Sequence, residues 1–451
     1  MGHTAPCKDN EIFFQKKRPK CFISLKIVIY SHTNSNKHTK NINHLTIKMI
    51  DRDDFVPDED WARFREISKD FPTPNIFVNL DTIEAEYKHL MKTFPFGNVY
   101  FAVKANPGIP VIRRLNELGS NFDIASRYEL DDVLAQGISP DRLSYGNTIK
   151  KADDVEYFYK KGVRMFVTDS KDDLKNIADR APGSKVFVRI LIENSSTADW
   201  PLSRKFGCHP DMAYNLLVMA KERGLEPYGI SFHVGSQQRD IGQWDDAISK
   251  TKYLFESLEE EEGIKLKMIN MGGGFPARYI QPCNDLSDYA SEITRYLHDD
   301  FDEIPRIVFE PGRSLVGNAG ILTSEVVLIS RKNNTSLSRW VYLDCGLFNG
   351  LIETLGEAIK YPVLTDKDGG KCGEVILAGP TCDSADIMYE NIKYKLPIDL
   401  KSGDKVYWLT TGAYTSSYAS VKFNGFPPIK AYYYDKKAIY DVDGNVVKSL
   451  A

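Results

Sequence analysis

From Asn75 to about Arg313 the chain alternates short apolar runs with amphipathic stretches. Ile76–Asn79, Val99–Val103, Phe122–Ile124, Leu143–Tyr145, Met165–Thr168, Val186–Leu191, Gly229–His233, Met268–Met271 and Ile307–Glu310 are short β-rich runs that read as strands. Between them, Thr82 to Lys92, Glu129 to Ala135, Pro210 to Arg223 and Trp244 to Glu261 carry apolar residues at helical spacing. Repeated strand–helix alternation predicts a parallel sheet with right-handed crossovers. About eight such units in this length predict a (β/α)₈ barrel of the α/β class. After Ser314 the helical pattern fades. Ile321–Ser330, Trp340–Leu343, Glu374–Leu377, Lys405–Thr410 and Lys430–Tyr434 predict a mostly antiparallel β domain over 314–451, joined by residues 49–74. The barrel is thereby assigned to 75–313.

The strongest polar residues of the barrel half, Lys104, Asp123, Arg189, His233 and Glu310, fall at the C-terminal ends of predicted strands. That is the face on which such barrels assemble active sites. Lys104 ends a strand, where burial is expected to lower its pKa and free the amine as a nucleophile. Gly272-Gly273-Gly274 follows a strand, and its unobstructed backbone N–H groups suit an anion. No Gly-Lys-Ser/Thr follows, so it is not a nucleoside-triphosphate loop. Ser236 and Tyr414 add hydroxyls for the same anion, and Arg313 a charge. Glu310 reads either as an acid for a pyridine nitrogen or as an ordinary ion-pair partner of Arg313. Cys382 and Asp383 sit in the loop Gly379-Pro380-Thr381-Cys382-Asp383, as a proton donor and an amine-binding acid, or as a small packed thiol beside a loop-capping aspartate.

Composition narrows the class. Of 451 residues, 42% are hydrophobic and 27% charged, as in globular proteins, and a net charge of −4 gives no reason to expect nucleic acid or an anionic membrane as partner. Seven scattered cysteines fit a reducing compartment, hence a cytoplasmic protein, and neither they nor the eight histidines have metal-ligand spacing. Residues 1–48 differ from the rest. They hold nine Lys/Arg against Asp9 and Glu11, and a Ser/His/Asn/Thr/Lys-rich tract, and read as a basic, disordered extension. Lys26 interrupts the apolar stretch Cys21–Tyr30, which makes a poor signal-peptide core.

Val103-Lys104-Ala105-Asn106, Phe122 to Glu129, Tyr145-Gly146-Asn147-Thr148, Ser231 to Ser236, the glycine triplet with Phe275, Glu310 to Arg313, Gly379 to Asp383 and Phe423 to Pro427 occur in this order. The set resembles the fold-type III, alanine-racemase-like pyridoxal-phosphate decarboxylases, nearest to ornithine decarboxylase and its bacterial lysine/ornithine relatives, from about Pro74 to Tyr434.

The resemblance implies pyridoxal 5'-phosphate carried on Lys104 and His233 against the ring face. Asp123 and Arg189 line the cofactor side, Glu310 faces the ring nitrogen, and Ser236, Gly272, Gly273, Gly274, Arg313 and Tyr414 surround the phosphate. It implies that Cys382 returns a proton after CO₂ loss and that Asp383 binds the distal amine, both reaching into the neighbouring subunit of a homodimer. Glu129 would line the substrate side. Eukaryotic ornithine decarboxylases carry a Tyr-Asp segment with a second acid; here Gly346 to Glu357 departs from it, leaving Glu357, or secondarily Glu353, for that role. The expected activity is conversion of L-ornithine to putrescine, with L-lysine to cadaverine as a second activity. The rival readings are a diaminopimelate or arginine decarboxylase, a racemase, or an inactive regulatory homologue.

Overall fold

The computed structural model describes residues 46–47, 50–192, 197–200 and 205–450. Eight parallel strands close a barrel in the order Gly97–Ala102, Asn121–Ile124, Leu143–Tyr145, Met165–Thr168, Lys185–Arg189, Glu226–Ser231, Met268–Asn270 and Arg306–Phe309, the last pairing back onto the first. Alternation along each strand explains the two layers of packing. Tyr100, Met165, Val167, Phe187, Tyr228, Met268 and Val308 form one cluster. Their strand neighbours Val99, Phe101, Phe166, Val186, Val188, Ile269, Ile307 and Phe309 belong to a separate, larger cluster shared with the surrounding helices. The first set therefore plugs the barrel and the second glues it to its helical ring. Arg306, at the start of its strand, donates to the Tyr100 and Tyr228 hydroxyls and satisfies the polar ends of the plug.

One strand went to the other domain. Asn75–Asn79, expected to open the barrel, instead pairs antiparallel with Gly320–Ser330 and parallel with Lys430–Tyr434 in the second sheet. Its continuous burial suits the middle of either sheet, so its pattern cannot choose between them. The helix that follows, Leu80–Thr93, packs against the barrel helices Ile109–Glu117 and Leu286–Asp300. The barrel thus starts at Gly97, and its first helix precedes its first strand.

The second sheet has eleven strands and is mostly antiparallel. The helix Asp58–Ser68 lies on it, with Phe64 and Ile67 packed among Phe77, Ile321, Tyr407 and Tyr434. The strand Ile387–Pro397 escaped prediction because exposed Glu390 interrupts its apolar pattern. The basic extension at 1–48 lies outside the described residues except for Thr46–Ile47. These form a short parallel strand beside Lys393 and Tyr394.

Candidate active site

The strand Gly97–Ala102 runs into a 3₁₀ turn, Val103–Ala105, which presents Lys104 at the C-terminal mouth of the barrel. Three bonds from the second domain fix this turn. The Tyr414 N–H donates to the Ala105 carbonyl at 2.9 Å, the Ser417 hydroxyl to the Lys104 carbonyl at 3.1 Å, and Asn106 Nδ2 to the Gly412 carbonyl at 2.8 Å. Tyr414 holds φ at +56°, a strained value for a residue with a Cβ, and one that concentrates at functional sites.

Lys104 Nζ lies 3.4 Å from Asp123 Oδ2, and its side chain is 48% exposed. Burial opposes the ammonium form, yet Asp123, Tyr414, Glu310 and Glu129 outweigh it and push the pKa up. This corrects the expectation of a lowered value. The amine opens onto a mouth ringed with acids instead of ending inside apolar packing, so it rests protonated and must pass a proton on before it can attack.

Asp123 is buried and accepts the Ser144 hydroxyl at 3.0 Å as well as the Lys104 ammonium. A Cβ on Gly146 would fall 1.8 Å from Asp123 Oδ1, so the Tyr-Gly-Asn-Thr motif needs glycine to leave that carboxylate its place. Glu310 follows the strand Arg306–Phe309, and Asn270 Nδ2 donates to its Oε1 at 2.5 Å. Burial, then Asp123, raises its pKa to about 7, against the pull of Lys104, Asn270 and Arg189. His233 Nδ1 accepts the Gly235 N–H at 3.0 Å, while burial, Arg189 and Lys104 push its pKa well below the usual range. The ring is therefore neutral and presents a flat face rather than a charge. Burial also lowers the pKa of Arg189, opposed by Glu310, Asp169 and Asp123.

The glycine triplet follows Met268–Asn270, and Gly272 and Gly274 adopt φ of +63° and +107°. Asn270 Oδ1 takes the Gly272 N–H, whereas those of Gly273 and Gly274 find no acceptor among the described residues, leaving two donors for an anion. A Cβ at Gly273 would stand 2.7 Å from the Glu310 carbonyl and 3.5 Å from His233 Nε2. Beside the triplet, Arg313 Nε donates to Ser236 Oγ at 3.1 Å, and its guanidinium lies 4.9 Å from the Tyr414 ring centre. Glu310 is not its partner; a buried bidentate pair joins Arg313 to Glu353 instead.

Two expected substrate acids are otherwise engaged. Glu357 accepts the backbone N–H groups of Glu390, Asn391 and Ile392 at 2.6–3.0 Å. That carboxylate anchors a strand, so its oxygens are already committed to backbone amides. Glu129 Oε2 accepts the Ala125 N–H at 2.7 Å, just before the helix Arg127–Ala135 that Ser126 caps, though its charge still reaches Lys104. Cys382 and Asp383 are exposed on a braced loop. Asn424 accepts the Cys382 N–H at 2.8 Å, and buried Asp386 accepts the Thr381 N–H and hydroxyl and the Leu347 N–H. Among the described residues neither side chain bonds to the barrel mouth of its own chain.

Sequence reasoning missed Ser144, Asn270 and Tyr279, whose hydroxyl accepts Arg313 Nη1 at 2.8 Å. Asn270 was findable: a polar residue inside a buried strand, just before a glycine triplet, is a signal in itself.

The model of the pyridoxal-binding domain of pyridoxal-dependent decarboxylases matches residues 80–317. The lysine/ornithine decarboxylase of Selenomonas ruminantium is 31% identical over 363 residues, 80% of this chain and 90% of that one. The ornithine decarboxylase of Schizosaccharomyces pombe is 32% identical over 366 residues, 77% and 81% of the two chains. The solved structure of lysine/ornithine decarboxylase from Vibrio vulnificus, complexed with cadaverine, superposes with a TM-score of 0.75 at 28% identity, covering 84% of this chain and 99% of that one. The chain belongs to the pyridoxal-dependent decarboxylases. Within that family it stands with the ornithine and lysine decarboxylases at about 30% identity, an enzyme whose cofactor is pyridoxal 5'-phosphate.

The residues present fit that cofactor: a lysine and an acid at one mouth, a neutral flat imidazole, and a glycine cradle with two free N–H donors beside a cation. Gly273→Val is expected to weaken cofactor binding by about 5–150-fold, the 1–3 kcal/mol of overpacking, in a fluorescence titration of the cofactor-free protein. Unchanged affinity would move the cofactor away from the triplet.

Proposed function

We propose that this enzyme converts L-ornithine to putrescine and CO₂ and also accepts L-lysine, yielding cadaverine, as a cytoplasmic homodimer supplying polyamines. The observation that carries this reading is the pairing of a lysine-and-acid barrel mouth with an exposed, rigidly braced loop whose Cys382 and Asp383 side chains, among the described residues, do not bond to the barrel mouth of their own chain. A loop so built is suited to complete the site of a second copy. The relatives named as ornithine and lysine decarboxylases support the basic substrate.

In this reading Lys104 holds the cofactor covalently, after giving up the proton its acidic neighbours favour. Ser236, Gly272, Gly273, Gly274, Arg313 and Tyr414 hold the phosphate, and neutral His233 packs against the ring without opposing a cationic nitrogen. Asp123 and Arg189 orient the lysine and the acids around it. Glu310 faces the ring nitrogen. The bound cofactor supplies an electron sink for the pair left at the substrate Cα when CO₂ departs. Cys382 returns a proton to that Cα, and Asp383 receives the distal ammonium group. Glu129 lines the pocket wall from the first turn of its helix, held by the Ala125 N–H.

With Glu357 engaged elsewhere, Asp383 recognises the distal amine with less help than two acids would give. One methylene changes such discrimination by only about 1–3 kcal/mol, so ornithine and lysine both enter. Separate incubations with ornithine, lysine, arginine and diaminopimelate, followed by product identification, test this. Putrescine should dominate, with cadaverine within about 200-fold of it in kcat/KM. Agmatine or lysine as the sole product would sink the assignment.

A further inference from the structure

Arg313 begins the short helix Arg313–Val316 at the barrel mouth, and Glu353 lies in the 3₁₀ segment Ile352–Glu357. Their side chains are 3% and 2% exposed. Arg313 Nη1 and Nη2 meet the two Glu353 oxygens at 2.7 and 2.6 Å, Nη1 also meets the Tyr279 hydroxyl, and Nε meets Ser236 Oγ. A guanidinium has five N–H donors in a fixed fork. Four are accounted for, and the fifth, on Nη2, lies on the Nε edge that faces Ser236. Glu353 thus closes one edge of the fork and leaves the other toward the phosphate-binding hydroxyl.

This arrangement has an electrostatic consequence. A buried guanidinium alone would offer a phosphate a full positive charge in a medium that screens poorly. With Glu353 bound edge to edge, the pair is neutral before any phosphate arrives, and the phosphate meets a second anion across the same cation.

We infer that Glu353 is a positioning residue for the cofactor's phosphate end: it fixes the Arg313 fork and cancels its charge, so the site grips the phosphate more loosely than Arg313 alone would. The inference rests on the phosphate placement proposed above. The sequence offers Glu353 only as a second choice for the substrate amine, and its carboxylate is already committed to Arg313.

The test uses the cofactor-free full-length protein and fluorescence titration. E353Q keeps the shape and one acceptor oxygen but removes the charge. Its Kd for pyridoxal phosphate should fall about tenfold or more, while its Kd for phosphate-free pyridoxal stays put, a contrast that a purely structural role would not produce. An equal or larger Kd for pyridoxal phosphate overturns the inference. Because E353Q strands a buried cation and risks misfolding, R313M and R313M/E353M form a second arm; replacing a whole buried pair by apolar side chains is often tolerated. R313M, with Glu353 left facing the phosphate, should bind the cofactor about tenfold or more weaker than the double variant. Equal affinities for the two overturn the inference. Affinity in R313M matching that of the unmodified protein would instead remove the phosphate from Arg313 altogether.

Discussion

Replacing Lys104 with alanine should abolish the visible, borohydride-reducible absorbance of the cofactor-loaded protein and lower turnover by roughly 10⁴-fold or more, the scale of losing a covalent nucleophile. Lys104→Arg sharpens the test. It keeps a positive charge beside Asp123 and Glu310, so the acids that surround Lys104 remain balanced. It cannot shed a proton near neutral pH. If charge alone mattered, the arginine variant would retain function. The expected result is loss in both variants, with the far-ultraviolet circular dichroism of the arginine variant unchanged. Either variant keeping the reducible absorbance would remove Lys104 from its assigned role.

Glu310→Gln should lower kcat by roughly 10²–10³-fold, the size of losing one aligned electrostatic partner, while cofactor affinity moves little. The amide still accepts the Asn270 hydrogen bond but cannot ionise opposite a ring nitrogen. The same variant makes a prediction about stability. Glu310 has a pKa of about 7 in the fold against an ordinary value of 4.5. Between those values the unfolded chain loses this proton while the folded chain keeps it, so stability falls as pH rises through that window. Glutamine removes the loss. The cofactor-free variant should therefore melt above the unmodified protein at pH 7 and converge with it near pH 4.5. Parallel melting curves across that range would mean that Glu310 does not hold its proton.

Much of this was legible in the chain. The eight barrel strands announced themselves because each is buried on both sides and bounded by helix or turn, and Lys104, Asp123, Arg189, His233 and Glu310 stood out as polar endings to apolar runs. Asn75–Asn79 was misplaced for the same reason: two-sided burial identifies a central strand without saying of which sheet. The direction of the Lys104 pKa was misjudged because burial is visible in sequence, whereas the convergence of Asp123, Glu310 and Glu129 on one amine is a property of barrel closure. Glu353 and Glu357 show the limit most clearly. Four residues apart in one segment, they hold a guanidinium and three backbone amides respectively, and no local pattern distinguishes the two tasks.

The three hydrogen bonds that fasten residues 104–106 to Gly412, Tyr414 and Ser417 also bear on how this architecture can be rebuilt. A reactive loop stapled by its neighbour's backbone is not a self-sufficient cartridge. Grafting this barrel onto a foreign partner sheet would have to carry the 412–417 stretch along, or the graft would inherit every acid around the amine without the geometry that puts them to use.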